Sequence, residues 1–126
     1  MKKVLALDFG TQRIGLAISH HGLAEPLKII NNDNQVYEKV KQVIDREGAN
    51  LILIGLSENQ MAQKTKQFAK KLKEAIATPI EFVDETLSSQ NTHQKLASSS
   101  MKLKKRQSPI DHYAAAEFLQ EWLDTN

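Results

Sequence analysis

Lys2-Lys3-Val4-Leu5-Ala6-Leu7-Asp8-Phe9-Gly10-Thr11-Gln12-Arg13-Ile14-Gly15-Leu16-Ala17-Ile18-Ser19 opens the chain, and everything after it is placed by how this stretch folds. Val4 to Leu7 is an unbroken apolar run, too short for a typical helix and followed by turn residues, which suits a strand buried on both faces. The run stops at Asp8, so a carboxylate sits where a buried strand emerges. Gly10, Thr11 and Gln12 then reverse the chain. Ile14, Leu16 and Ile18 alternate with Gly15, Ala17 and Ser19, a period of two that marks a second strand. The product is a hairpin with an acid at its mouth. A carboxylate there costs solvation energy unless something positive compensates it. Arg13 and a bound cation are the two candidates.

The 126 residues are expected to form one domain over 1–126, long enough to bury a real core. With 40% hydrophobic and 25% charged residues, the composition is that of an ordinary globular protein. No apolar run is long enough to span a membrane, and no signal-peptide pattern follows Met1. Zero cysteines exclude disulfides, thiolate zinc sites and cysteine nucleophiles together, and agree with a cytoplasmic location. The formal charge is +2, from 17 basic and 15 acidic residues. A balance that small does not signal nucleic acid; only its distribution can.

Further along, His20-His21-Gly22 reads as a turn. Leu23 to Ile30 reads as a third strand at an edge, where Pro26 is tolerated. Asn31-Asn32-Asp33-Asn34 is a polar break offering several N-caps. Val36, Tyr37, Val40, Val43 and Ile44 recur at helical spacing, with Gly48 as the stop. Leu51-Ile52-Leu53-Ile54 is a second buried strand. Met61, Thr65, Phe68, Ala69, Leu72 and Ile76 form one face of a second helix, whose other face carries Lys64, Lys66, Lys70, Lys71 and Lys73. Pro79 introduces a strand over Ile80-Glu81-Phe82-Val83-Asp84. Thr86 to Ala97 reads as helical and Ser98-Ser99-Ser100 as a break. After a basic run, Lys102-Leu103-Lys104-Lys105-Arg106, a final helix begins at Ser108-Pro109 and carries Ala114, Ala115, Phe118, Leu119, Trp122 and Leu123. Opening strands followed by strand–helix alternation predict an α/β fold with a mixed sheet and helices on its faces.

Acids recur at the ends of elements expected to pack on that sheet. Asp8 ends the first strand, Asp84 and Glu85 the last, and Asp111 lies in the first turn of the final helix. Open α/β sheets place their sites at the carboxyl ends of parallel strands. Crowded carboxylates resist ionising together, and a hard divalent cation removes that penalty. Two such ions about 3.5–4 Å apart can activate a water and stabilise a leaving oxygen in phosphodiester hydrolysis. Each acid also has a structural role open to it. Asp8 can pair with Arg13, Asp84 or Glu85 can cap the following helix, and Asp111 fits a capping box three residues after Ser108.

The stretch Asp8 to Ser19 resembles the opening motif of the YqgF family, small bacterial proteins named as Holliday junction resolvases or pre-16S ribosomal RNA nucleases. Gly55-Leu56, Asp84-Glu85-Thr86-Leu87-Ser88-Ser89 and Ile110-Asp111-His112-Tyr113-Ala114-Ala115-Ala116 resemble its later motifs in the same order. The resemblance spans nearly the whole chain. It implies an RNase H-like fold, a five-stranded mixed sheet flanked by helices with the second strand antiparallel. It also implies a metal-dependent nuclease whose catalytic and metal-binding acids are Asp8, Glu85 and Asp111, loaded with Mg²⁺ or Mn²⁺. Arg13 matches the family's arginine after the first turn, a phosphate contact, and Lys104, Lys105 and Arg106 would hold nucleic acid at the rim of the site.

The expected function is processing of the 5′ end of precursor 16S rRNA in ribosome biogenesis. The rivals are resolution of Holliday junctions in DNA by a symmetric homodimer, and a nucleic-acid-binding ribosome-maturation factor that cuts little. The chain departs from the family's usual pattern in three places. Ser57 stands where a proline and a glycine-containing loop usually follow Gly55-Leu56, so that loop is shortened. Thr86 stands where an arginine is usual, and His20 where an aspartate is often found. The three acids survive all of these changes. The lysine face of the second helix is expected to be ordinary surface, and the four histidines lack zinc-site spacing.

Overall fold

The computed structural model of the protein describes residues 3–56, 60–84 and 112–125. Among them, five strands form one sheet in the order β3-β2-β1-β4-β5. The strands are β1 Val4–Phe9, β2 Arg13–His20, β3 Leu23–Asn31, β4 Leu51–Leu56 and β5 Ile80–Asp84. β2 runs antiparallel to both β1 and β3, whereas β4 is parallel to β1 and β5 is parallel to β4. The expected mixed sheet with an antiparallel second strand is therefore present. β1 and β4 occupy the interior of the sheet, and Val4, Leu5, Ala6, Leu7 and Ile52 to Ile54 are fully buried. Their unbroken apolar sequences follow from having a covered face on both sides.

Helices α1 (Val36–Glu47) and α2 (Gln60–Ala75) cover one face, and α3 (His112–Thr125) covers the other. Alternation along β1 divides the core accordingly. Leu5 and Leu7 pack with Val40, Phe68 and Leu72, while Val4 and Ala6 pack with Ala115, Phe118 and Leu119. α1 ends at Gly48, whose φ of +73° is the left-handed conformation expected of a glycine stop, with its N–H donating to the Ile44 carbonyl at 2.8 Å. Its start differs from the sequence reading. Gln35 occupies the cap position and makes no side-chain capping bond. Instead, the Asp33 carboxylate accepts from the Gln35 N–H at 3.0 Å and lies 3.3 Å from the Lys39 ammonium. Those two contacts hold the exposed Asp33 carboxyl below its ordinary pKa, the Gln35 bond most of all.

β3 is an edge strand, as Pro26 predicts, and it bulges where Leu16 pairs with Lys28 and Ala17 with Pro26, leaving Leu27 as the extra residue. β1 and β2 each run one residue beyond the sequence reading, to Phe9 and His20. The expected helix over Thr86 to Ala97, the Ser98–Ser100 break and the start of the final helix at Ser108 lie outside the described residues.

α3 is tied to the far end of the sheet by Gln120. Its Oε1 accepts from the Ala24 N–H at 2.9 Å, and its Nε2 donates to the Gly22 carbonyl at 3.2 Å. At the same end, the buried Ser19 Oγ accepts from the Val4 N–H at 2.8 Å and so satisfies a donor that has no water to turn to.

Candidate active site

Asp8 is one residue from the end of β1, at the sheet edge where β1, β4 and β5 all finish. It is the one buried acid among the described residues, 7% exposed in a strand whose preceding four residues are fully covered. Alternation puts it on the same face as Val4 and Ala6, the face roofed by α3. Its cross-strand partner on β2 is Gly15. On the other side, the parallel register sets Leu7 beside Ile54, so the next step along both strands brings Gly55 beside Asp8. Directly paired residues share a face, so the carboxylate is flanked on both neighbouring strands by positions that carry no side chain. Neither β2 nor β4 therefore places a side chain directly beside the Asp8 carboxylate.

The strand end is held firmly. Phe9 points to the opposite face and packs against Phe68 of α2, with ring centroids 5.1 Å apart, and Tyr37 of α1 stacks on Phe68 at 5.3 Å. The turn after Phe9 is held by Asn32. Its Nδ2 donates to the Gly10 carbonyl at 2.8 Å, and its backbone N–H donates to the Gln12 carbonyl at 2.8 Å. Asn32 was legible in the sequence only as a member of a polar break. Its hold on the hairpin mouth is a contact across 22 positions that no local pattern announces.

Arg13 begins β2 and pairs in register with Asn31. It is exposed, and by alternation from Gly15 it belongs to the face that carries Asp8. None of the ion pairs between described residues joins it to Asp8. A salt bridge to Arg13 is therefore not what accommodates the buried carboxylate, and Arg13 stands exposed at the start of β2. Glu85, Asp111, Lys104, Lys105 and Arg106 lie outside the described residues. Among the described residues no three acidic or histidine side chains gather closely enough to hold a metal ion. Of the three expected ligands, Asp8 alone is described. It supplies the hard oxygen donor such an ion prefers.

No helix among the described residues is long and apolar enough to cross a membrane. A family model described as RuvX, Holliday junction resolvase, matches residues 2–125. A protein of Sulfurihydrogenibium sp. named "Putative pre-16S rRNA nuclease" is 38% identical, the match covering 98% of this chain and 91% of that one. Among solved structures, the Fowlpox virus resolvase in complex with Holliday junction DNA superposes with a TM-score of 0.58 at 12% identity, covering 98% of this chain and 97% of that one. RuvC of T. thermophilus in complex with a Holliday junction substrate gives a TM-score of 0.55 at 16% identity, covering 71% and 69%. At such identities these two likenesses concern the fold alone, and they agree with the RNase H-like architecture.

Proposed function

The chain belongs to the RuvX family, the nuclease family that its YqgF-like motifs point to, and we propose that it is a metal-dependent nuclease that processes the 5′ end of precursor 16S rRNA. In this reading residues 1–126 form one nuclease domain that works in the cytoplasm. The observation that carries the proposal is the buried Asp8 carboxylate at the carboxyl edge of parallel strands, flanked by Gly15 and Gly55.

Asp8, Glu85 and Asp111 are assigned together as the metal-binding and catalytic acids. Two features support adding the second and third. Val83 packs in the cluster under α3, on the Asp8 face, so β5 ends beside that face just before Asp84-Glu85 in the sequence. Glu85 is taken as the acid of the pair because it matches the family's motif. Asp111 immediately precedes α3, the helix that roofs Asp8. Gln120 fixes α3 at the opposite edge of the sheet, and His112 is eight residues earlier, about 12 Å along a helix. The four steps from Val4 to Asp8 span about 13 Å of strand. The N-terminal end of α3 at His112 therefore lies toward the Asp8 edge.

Mg²⁺ or Mn²⁺ held by these oxygens would supply an activated water and stabilise the leaving oxygen of the phosphodiester. The chain's own residues do the rest. The three carboxylates hold the site in one place, the Phe9–Phe68 packing and the Asn32 bonds keep the first of them from shifting, and Arg13 takes a phosphate oxygen at the rim. Lys104, Lys105 and Arg106 add backbone contacts on the substrate, each neutralised phosphate adding about 0.7 to the salt slope on a single strand.

The description of the family model favours a second substrate, the four-way DNA junction. That reaction needs two opposed sites and so a symmetric dimer. One experiment covers both readings. Wild type and Asp8→Asn are incubated with precursor 16S rRNA and with a four-way DNA junction, with and without Mn²⁺. Metal-dependent cleavage of the RNA by wild type alone supports the proposal, and cleavage of the junction alone transfers it to DNA. Binding without cleavage, unchanged by the substitution, replaces it with a maturation factor that keeps the fold without the chemistry.

A further inference from the structure

The charge of this chain is unevenly spread. α2 carries five lysines, Lys64, Lys66, Lys70, Lys71 and Lys73, and a single acid, Glu74, a net of +4. Since the whole chain is +2, everything outside α2 sums to −2. α2 is thus one of two strongly basic segments of the chain, the other being the run Lys102 to Arg106. All five lysines are exposed, and among the described residues none of them makes an ion pair. The neighbouring helix behaves differently. On and beside α1, Lys39 meets Asp33, Arg46 meets Glu47, and Lys3 reaches the same glutamate.

At 100° per residue the lysines form two rows on either side of the outward midline. Lys64 and Lys71 make one row, and Lys66, Lys70 and Lys73 the other, with Gln63 and Gln67 between them. Thr65, Phe68, Ala69 and Leu72 occupy the buried side. Seven residues separate the ends of each row, about 10 Å along the axis. Like charges at i, i+4, as at Lys66 and Lys70, cost the helix a few tenths of a kcal/mol, so the pattern is not there for helix stability. α2 also follows β4 directly, so it starts at the sheet edge where Asp8 lies and runs away from it behind the sheet.

We propose that the lysine face of α2 binds the phosphate backbone of the substrate RNA beyond the point of cleavage. A strand leaving the Asp8 edge runs along the row of Lys66, Lys70 and Lys73. The contacts read charge and not bases, so this face adds affinity for long substrates and leaves chemistry at the cut unchanged. The inference rests on the nuclease reading for the identity of the RNA, but its test does not require cleavage.

The test measures binding of two fragments of precursor 16S rRNA in EDTA, one barely spanning the processing site and one extending well beyond it. Wild type is compared with Lys66→Gln/Lys70→Gln/Lys73→Gln, and with Lys41→Gln on the exposed side of α1. Glutamine is nearly as good a helix former as lysine, so the triple variant keeps its fold, which its circular dichroism and Tm verify. On the long fragment the triple variant is expected to lose about 2 from the slope of log K against log salt, three phosphates at about 0.7 each. Between 50 and 200 mM salt, about a twentyfold share of the wild type's loss of affinity then disappears. The short fragment and Lys41→Gln show no such change. An unaltered slope on the long fragment, or an equal loss on both fragments, overturns the proposal while leaving the nuclease reading standing. Failure of wild type to bind either fragment also overturns the proposal, and the cleavage assay in Mn²⁺ decides the nuclease reading separately.

Discussion

Asn32 gives the sharpest link between fold and site. Replacing it with alanine removes the 2.8 Å bond from Nδ2 to the Gly10 carbonyl and leaves the bond from its backbone N–H to Gln12 in place. Gly10 is buried, so its carbonyl has no ready water to turn to, and the loss is about 1.5 kcal/mol. For 126 residues the unfolding entropy at the midpoint is about 0.26 kcal/mol/K, so Tm falls by about 6 °C. Stability alone would not separate a positioning role from a structural one. Ser19→Ala supplies the comparison. It deprives the buried Val4 N–H of its acceptor at the opposite edge of the sheet, at a cost of about 1–3 kcal/mol. Both variants remain folded at 25 °C. Metal-dependent cleavage there is expected to fall about ten- to a hundredfold in Asn32→Ala, because small misplacements at a reacting centre cost that much, and to stay at the wild-type level in Ser19→Ala. The assay is differential scanning fluorimetry beside single-turnover cleavage. Equal cleavage by the two variants, at comparable Tm, would refute the claim that Asn32 acts on the site.

Three further outcomes follow from the same structure. Phe118→Ala empties a 1%-exposed position between α3 and the sheet and should cost about 3–5 kcal/mol, read as a lower urea midpoint at unchanged slope. Gly48→Ala places a Cβ in open space but at φ +73°, so the penalty is purely one of backbone conformation, about 1–2 kcal/mol and about 4–8 °C in Tm. If Asp8, Glu85 and Asp111 share the proposed site, Asp8→Asn removes one of several repelling acids and should leave the Tm in EDTA equal or higher. Wild type should gain about 2.7 kcal/mol, about 10 °C, when Mn²⁺ reaches a hundred times its Kd, and the variant should gain little.

Much of the architecture could be read from residue order because its causes are local or binary. Val4 to Leu7 and Leu51 to Ile54 are apolar throughout since both faces are covered. Gly48 stops α1 through its backbone freedom, and Pro26 marks an edge. The position of Asp8 at a strand mouth is likewise written in where the apolar run stops. What could not be read depends on register and distance. That Gly15 and Gly55 both flank Asp8 is a property of how three strands align. The side chain of Asn32 reaches back across the sheet edge to Gly10, when its setting in a polar run suggests a helix cap. Gln120 looks like an ordinary polar position of an amphipathic helix, yet it fastens α3 to the β2–β3 turn. The lysines of α2 were visible as a charged face, but the excess they represent emerges only when the ion pairs around α1 are set beside them.

The most direct measurement is a crystal structure of the protein soaked with Mn²⁺, with the ion located by its anomalous scattering. The account predicts a peak at coordination distance, about 2.0–2.2 Å, from the Asp8 carboxylate, with oxygens of Glu85 and Asp111 completing the same site. A fully occupied Mn²⁺ elsewhere, or an Asp8 carboxylate bonded only to protein groups with Glu85 and Asp111 remote from it, would contradict it.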